Sequence, residues 1–251
     1  MNSITSLCIF ACAVASVASI KFPYKSYSGI KVSPTSLRMI YYHDETIAVV
    51  EVGKGKELVN CELIEIFNEE HGKFLLKNLT RINKPLRINL QQMMNLMEQC
   101  DLLDPVLDTN IINANLRISD ATPDQGSENS ESTTQSSIFF GIFPDTKWCG
   151  TGDLATNYFD LGPLVKLDVC CRAHDLCPTK VRAHSTKYNV TNDSMFTRSH
   201  CKCDQRFYNC LKKSKHQSGT VIGRIYFNLV RAPCIDGDVP GKMTFINPPS
   251  Y

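Results

Sequence analysis

Apolar residues along the chain fall into patterns of three kinds. The first is an uninterrupted, uncharged run from Leu7 to about Val17 within MNSITSLCIFACAVASVASI. It is too short for a comfortable membrane span, and Val17 and Ser19 fit the small-residue positions read by signal peptidase, so residues 1–19 are expected to be a signal peptide. The second kind is strand-like. MIYYHDETIAVVEV, Met39 to Val52, is rich in β-formers around a turn at His43-Asp44, and the run from Cys61 to Ile66 alternates. The third is helical. Leu90, Met93, Met94, Leu96 and Met97 recur at helical spacing, and Cys203, Phe207, Cys210 and Leu211 share one face of a helix expected over His200 to Lys213. Another helix is expected to open at Gly162-Pro163 and run through LVKLDVCCRAHDLC until Pro178 stops it. A shorter one is expected in TVIGRIYFNLV, and Thr179 to Arg198 reads as an exposed loop or hairpin.

Between Ile118 and Ser137 the pattern vanishes. ISDATPDQGSENSESTTQSS has no aromatic residue and is dense in polar side chains, the composition of a linker. The expected division is therefore signal peptide 1–19, an N-terminal pro-region or accessory domain 20–117, linker 118–137 and a C-terminal domain 138–251. The near-neutral whole conceals a difference between the parts. Ile20 to Phe140 carries 12 Lys and Arg against 16 Asp and Glu, and Gly141 to Tyr251 carries 15 against 9. A basic C-terminal part suits an anionic partner such as a lipid surface, a heparin-like sugar or the chain's own acidic part. An ordinary solvated surface gives the same count.

Cysteine usage decides the compartment. Without Cys8 and Cys12 of the signal there remain Cys61, Cys100, Cys149, Cys170, Cys171, Cys177, Cys201, Cys203, Cys210 and Cys234, an even set that in a secreted chain reads as a disulfide framework. Cys61 and Cys100 are alone in the N-terminal part and are expected to pair. Adjacent helical residues diverge by about 100°, so Cys170 and Cys171 must reach separate partners. Zinc is disfavoured because the spacings CC, CxxxxxC and CxC are not those of its sites. Sequons at Asn78, Asn189 and Asn192 fit the secretory route and mark candidate glycosylated loops.

His174 and Asp175 are neighbours in VCCRAHDLCP and so act on different things. Upstream, Trp148-Cys149-Gly150-Thr151-Gly152-Asp153 has alternate glycines that let backbone carbonyls converge on a hard cation, to which Asp175 can add a carboxylate. WCGTG, CCRAHDLC, CKCDQRFYNC and IYFNL together resemble the secreted phospholipases A2 of the bee-venom (group III) type, over about Gly141 to Cys234.

That resemblance implies a mainly α, disulfide-rich phospholipase A2 fold with two long antiparallel helices and a calcium loop, preceded here by a small α+β N-terminal region. It implies calcium-dependent hydrolysis of the sn-2 ester of glycerophospholipids. His174 is then the base that activates water, Asp204 the carboxylate that orients it, and Tyr226 its support. Calcium is held by Asp175 and the carbonyls of Trp148, Gly150 and Gly152, and the Gly150 N–H helps to stabilise the oxyanion. The implied pairs are Cys149 with Cys171, Cys170 with Cys210, Cys177 with Cys203 and Cys201 with Cys234.

The expected partner is a phospholipid surface engaged peripherally by a secreted monomer, with no nucleic acid. Ile138, Phe139, Phe140, Ile142 and Phe143, with Val221 and Ile222, are the candidate lipid-facing rim, and packing on the domain explains them equally. Lys212, Lys213 and Lys215 suit an anionic surface or a solvated helix end. A catalytically inactive relative acting as a receptor or channel ligand is the alternative, though the histidine, its aspartate neighbour and the loop glycines that such relatives lose are intact here. The tail IDGDVPGKMTFINPPSY departs from the family, whose members continue with a further disulfide hairpin.

Overall fold

Why the run around Ala48 is continuously apolar is explained by its place in the sheet. In the computed structural model, which describes residues 24–116, 141–237 and 243–251, with backbone alone over 104–116, strand β2 (Thr46–Val52) lies between β1 (Leu37–His43) and β3 (Leu58–Glu65). All three pair antiparallel, and β4 (Leu86–Arg87) adds a parallel edge to give the order β3-β2-β1-β4. The β1–β2 turn falls at Asp44, whose φ of 39° is left-handed. Both faces of the sheet are covered, so positions 46–51 are all buried.

Helix α1 (Glu69–Leu79) covers one face, where Leu75 and Leu79 meet Ile40, Ile47, Val49 and Ile64. Asn68 caps it by accepting from His71 N at 2.8 Å. Helix α2 (Leu90–Leu116) covers the other with Met93, Met94 and Met97 against Ala48, Val50 and Leu63. A reciprocal cap starts it, with Gln92 N donating to Asn89 Oδ1 and Asn89 N to Gln92 Oε1. The methionine stripe is core, and the expected Cys61–Cys100 disulfide ties α2 to β3.

The C-terminal half corrects the expected fold class. Its helices are α3 (Val165–Asp175), α4 (Cys201–Ser214) and α5 (Gln217–Gly223), the last continuing as a π-helical segment, Arg224–Val230. The helices α3 and α4 have 11 and 14 residues, not the length of two long helices, and six short strands accompany them among the described residues of this half. A mainly α architecture therefore does not hold. Two local causes are visible. No side chain caps α3 at Leu164, and the helix begins two residues beyond Pro163. After Pro178 the chain forms β5 (Lys180–Val181), β6 (Ser185–Lys187), β7 (Val190–Asn192) and β8 (Arg198–Ser199), with β5 paired to β8 and β6 to β7. Past α5, β9 (Cys234–Asp236) pairs with β10 (Thr244–Ile246).

Four disulfides staple this half: Cys149–Cys171, Cys170–Cys210, Cys177–Cys203 and Cys201–Cys234, the partners that the resemblance implies. No helix among the described residues is long and apolar enough to cross a membrane. The signal segment 1–19, the linker 118–137 and the rim residues Ile138, Phe139 and Phe140 lie outside the described residues.

The two halves share one core. Tyr158, Leu176, Cys177 and Cys203 pack into the same cluster as Met93, Met94 and Leu63. Around this seam Thr46 Oγ1 donates to Leu176 O at 2.8 Å, Glu45 N to Pro178 O at 2.9 Å, and Tyr188 Oη to Asp44 at 2.7 Å.

Candidate functional site

The disulfides Cys149–Cys171 and Cys177–Cys203 bracket His174 on α3 and carry the loop 148–152 to one side of it and the first turn of α4 to the other. On the α4 side, His174 Nε2 lies 2.7 Å from Asp204 Oδ1. Asp204 can only accept there in its ionised form, so Nε2 carries the ring proton and Nδ1 keeps its lone pair. Nδ1 has no hydrogen-bond partner among the described residues, and His174 lines a cleft of about 400 Å³ together with the loop and Asp175.

Tyr226 completes the group from the π-helical segment, donating to Asp204 Oδ1 at 3.2 Å and lying 3.3 Å from His174 Nε2. Burial, reinforced by Asp204, pushes its phenol well above the ordinary range, so it stays a neutral donor. Phe207 stacks on the imidazole at 4.5 Å between centroids, and Tyr226 meets it edge-on at 5.1 Å. The ring is thus fixed by packing as well as by hydrogen bonds.

The loop on the other side is shaped by close approach. At Gly150 a Cβ would overlap the Gly141 carbonyl oxygen, and Gly152 takes a φ of 79° that side chains disfavour. The carbonyls of Lys147 and Cys149 are taken by Leu154 N and Phe143 N, whereas those of Trp148, Gly150 and Gly152 accept no hydrogen bond among the described residues. Asp175 likewise accepts none on its carboxylate, and burial pushes its carboxyl well above the usual range, only partly opposed by Lys180. No cluster of three or more His, Cys, Asp or Glu residues suited to a metal occurs among the described residues. One unsatisfied carboxylate beside unspent carbonyls is instead the donor set of a hard, oxygen-seeking cation, and calcium fits it. Gly150 N–H also donates to nothing among the described residues.

Some contributors escape a reading by motif. Asp168 is fully buried on α3 and accepts from Lys147 N, Trp148 N and Gly162 N, which anchors the start of the loop. Its place as the single acidic residue in the first turn of α3 was its only signal. Arg198 on β8 brings positive charge towards Asp204 and Tyr226. Glu65 and Phe67 of the N-terminal half line the cleft, and nothing near them in sequence indicates this.

Two expectations need correction. Asn192 is 2% exposed, and its Nδ2 lies within hydrogen-bond reach of the carbonyls of Val181, Arg182 and Phe196, so the folded chain has no room for a glycan there. Asn189 is exposed at the β6–β7 turn, and Asn78 is exposed on the last turn of α1 rather than in a loop. Ile222 packs inward with Leu167 and Phe207, whereas Val221, Leu229 and Met195 are exposed apolar side chains.

Residues 142–238 match the family model described as phospholipase A2. Phospholipase A2 of Bombus pensylvanicus is 40% identical over 100 residues, covering 39% of this chain and 74% of that protein. For phospholipase A2 of Apis dorsata the figures are 40% over 108 residues, 41% and 81%. Phospholipase A2 of Xylocopa aruana is 42% identical over 99 residues, and the chain spans about half of its length, 55%.

Proposed function

Since the chain belongs to the phospholipase A2 family, of the bee-venom (group III) type, we propose that it is a secreted, calcium-dependent hydrolase of the sn-2 ester of glycerophospholipids. The observation that carries the proposal is the imidazole of His174 in the wall of the cleft, tied through Nε2 to Asp204 and with no hydrogen-bond partner on Nδ1 among the described residues.

His174 Nδ1 takes a proton from a water as that water attacks the ester carbonyl, and the same proton later goes to the leaving alkoxide. Asp204 holds the tautomer in which Nδ1 is the basic nitrogen and offsets the positive charge the ring acquires, as a carboxylate does in catalytic triads. Tyr226 keeps Asp204 Oδ1 in place. Phe207 prevents the ring from turning. The Gly150 N–H points its dipole to developing negative charge on the carbonyl oxygen. Calcium, held by Asp175 and the carbonyls of Trp148, Gly150 and Gly152, supplies Lewis-acid polarisation of that carbonyl when bound. Water is the nucleophile, so the chain needs no activated serine or cysteine.

Exposed Val221, Leu229 and Met195 support contact with a phospholipid surface by a monomer. Five disulfides support an oxidising compartment, and exposed Asn78 and Asn189 are the sites proposed for glycans. The test is fatty-acid release from phospholipid vesicles with calcium and with a chelator. Release is expected only with calcium, and His174→Gln is expected to lower it by roughly 10²–10⁴-fold. Release that persists in His174→Gln refutes the mechanism. A folded, calcium-binding chain with no release supports an inactive ligand instead.

A further inference from the structure

The first residues beyond Asp175 set a problem for any cation site there. Lys180, on β5, is 3% exposed and shares the cleft with Asp175. An ammonium so close competes with a metal ion for the same carboxylate. In the structure it is turned elsewhere. Its Nζ donates to the backbone carbonyl of Asp175 at 2.5 Å and to the carboxylate of Glu65, at the end of β3 in the N-terminal half.

Glu65 is itself well held. Arg182 Nη2 donates to Glu65 Oε1 at 2.9 Å and to Ile66 O at 3.1 Å, and pairs with Glu45 at 3.0 Å. The Arg182 guanidinium lies 4.3 Å over the Phe67 ring, which Tyr24 stacks from its own side at 3.9 Å. A second N-terminal contact reaches the same loop, for Lys25 pairs with Asp153 and sits 4.4 Å over the Trp148 ring. Glu65 and Lys25 both precede residues 142–238, the stretch that matches the family.

We propose that Glu65 is a positioning residue for the cation site: it offsets the Lys180 charge and holds the ammonium on the Asp175 carbonyl, leaving the Asp175 carboxylate available to calcium. The N-terminal half is on this account a working part of the catalytic centre rather than a segment to be discarded. The inference rests on the calcium reading given above.

Trp148 is the single tryptophan of the chain and lies in the loop, so its fluorescence reports calcium titration without any turnover. Glu65→Gln is expected to raise the calcium concentration at half-saturation about tenfold, as a unit charge released beside the site dictates. Glu65→Gln with Lys180→Met is expected to return it to within about twofold of the unaltered chain, since the competing charge is gone. A loss of calcium affinity through general loosening is not repaired by a second core change. Should Glu65→Gln fail to fold, as judged by near-UV circular dichroism, Lys180→Met alone carries the test, with unchanged or tighter calcium binding expected and weaker binding overturning the idea. A calcium response in the unaltered chain with no change in Glu65→Gln, or no recovery in the double variant, overturns the role of Glu65 alone. Absence of any calcium response in the unaltered chain overturns the calcium reading as well.

Discussion

The N-terminal sheet and the C-terminal half fold by different means. In the sheet, β2 is buried on both faces, each face has its own apolar cluster capped by one helix, and one disulfide is added to an already continuous core. In the C-terminal half, fully or nearly buried positions include Asp168, Arg172, His200 and Asp204, and four disulfides hold short helices and two- or three-residue strands around them. Buried polar groups contribute little net stability and demand partners in fixed places. Covalent staples let a region fill its interior with such groups and remain folded. The sheet buries polar groups too, Glu51, Asn60 and Glu62 among them, but holds them in long paired strands between two apolar clusters, whereas the C-terminal half relies on cross-links between short elements.

Removing one disulfide from each region breaks the comparison most forcefully. Cys61–Cys100 and Cys177–Cys203 close loops of 39 and 26 residues, for which loop-closure entropy gives about 4 and about 3.5 kcal/mol. Changing either pair to alanine is expected to lower the urea midpoint by similar amounts. Only the loss of Cys177–Cys203 also lowers activity per folded molecule, because of these two bonds it is the one that joins the end of the His174 helix to the first turn of the helix carrying Asp204. Equal activity losses would show that staples serve stability in both regions alike.

Leu75→Ala probes the sheet without touching the site. Leu75 is on the buried face of α1, and its truncation is expected to cost about 3 kcal/mol with unchanged activity per folded molecule. Tyr226→Phe is the converse in the C-terminal half. It removes a hydroxyl that reaches both Asp204 and His174, and about 1 kcal/mol of lost positioning corresponds to roughly fivefold in kcat. Thermal unfolding of both variants beside vesicle hydrolysis separates the two kinds of effect, and a large stability loss in Tyr226→Phe contradicts the contrast.

The same contrast governs what a linear reading reaches. Helical spacing of Met93, Met94 and Met97 and the β-rich run to Val52 directly report burial, so the sheet and its covering helix were legible. In the C-terminal half, the neighbours of His174 gave its position between two tethered segments, and the cysteine pairs followed from the resemblance. The mainly α expectation failed there because strands of two residues, such as Lys180–Val181, are too short to have a period, and because α3 starts without a capping side chain. The sequon at Asn192 is visible in sequence, while the three carbonyls around its amide are not. Glu65 and Lys180 are 115 positions apart, and no local pattern connects two charges at that distance.

That pair also provides the gentlest test, at the seam where the two regions meet. Burial acts to raise the Glu65 pKa, but the charges and hydrogen bonds of Lys180 and Arg182 outweigh it, and the net shift is downward from the ordinary 4.5. A carboxylate with a depressed folded-state pKa contributes stability that is complete above its unfolded pKa and is lost as pH falls through the folded one. The unaltered chain should therefore melt above Glu65→Gln at pH 7, by about 2–4 °C for each kcal/mol the contact contributes. The gap should close as pH drops below 4.5 and Glu65 takes up its proton, because the protonated acid and the amide are then both neutral. Scanning calorimetry of both chains between pH 7 and pH 3 measures this directly. A gap that stays constant across that range means that the seam is held by shape and apolar contact alone, and that the charge of Glu65 has no part in joining the regular half to the stapled one.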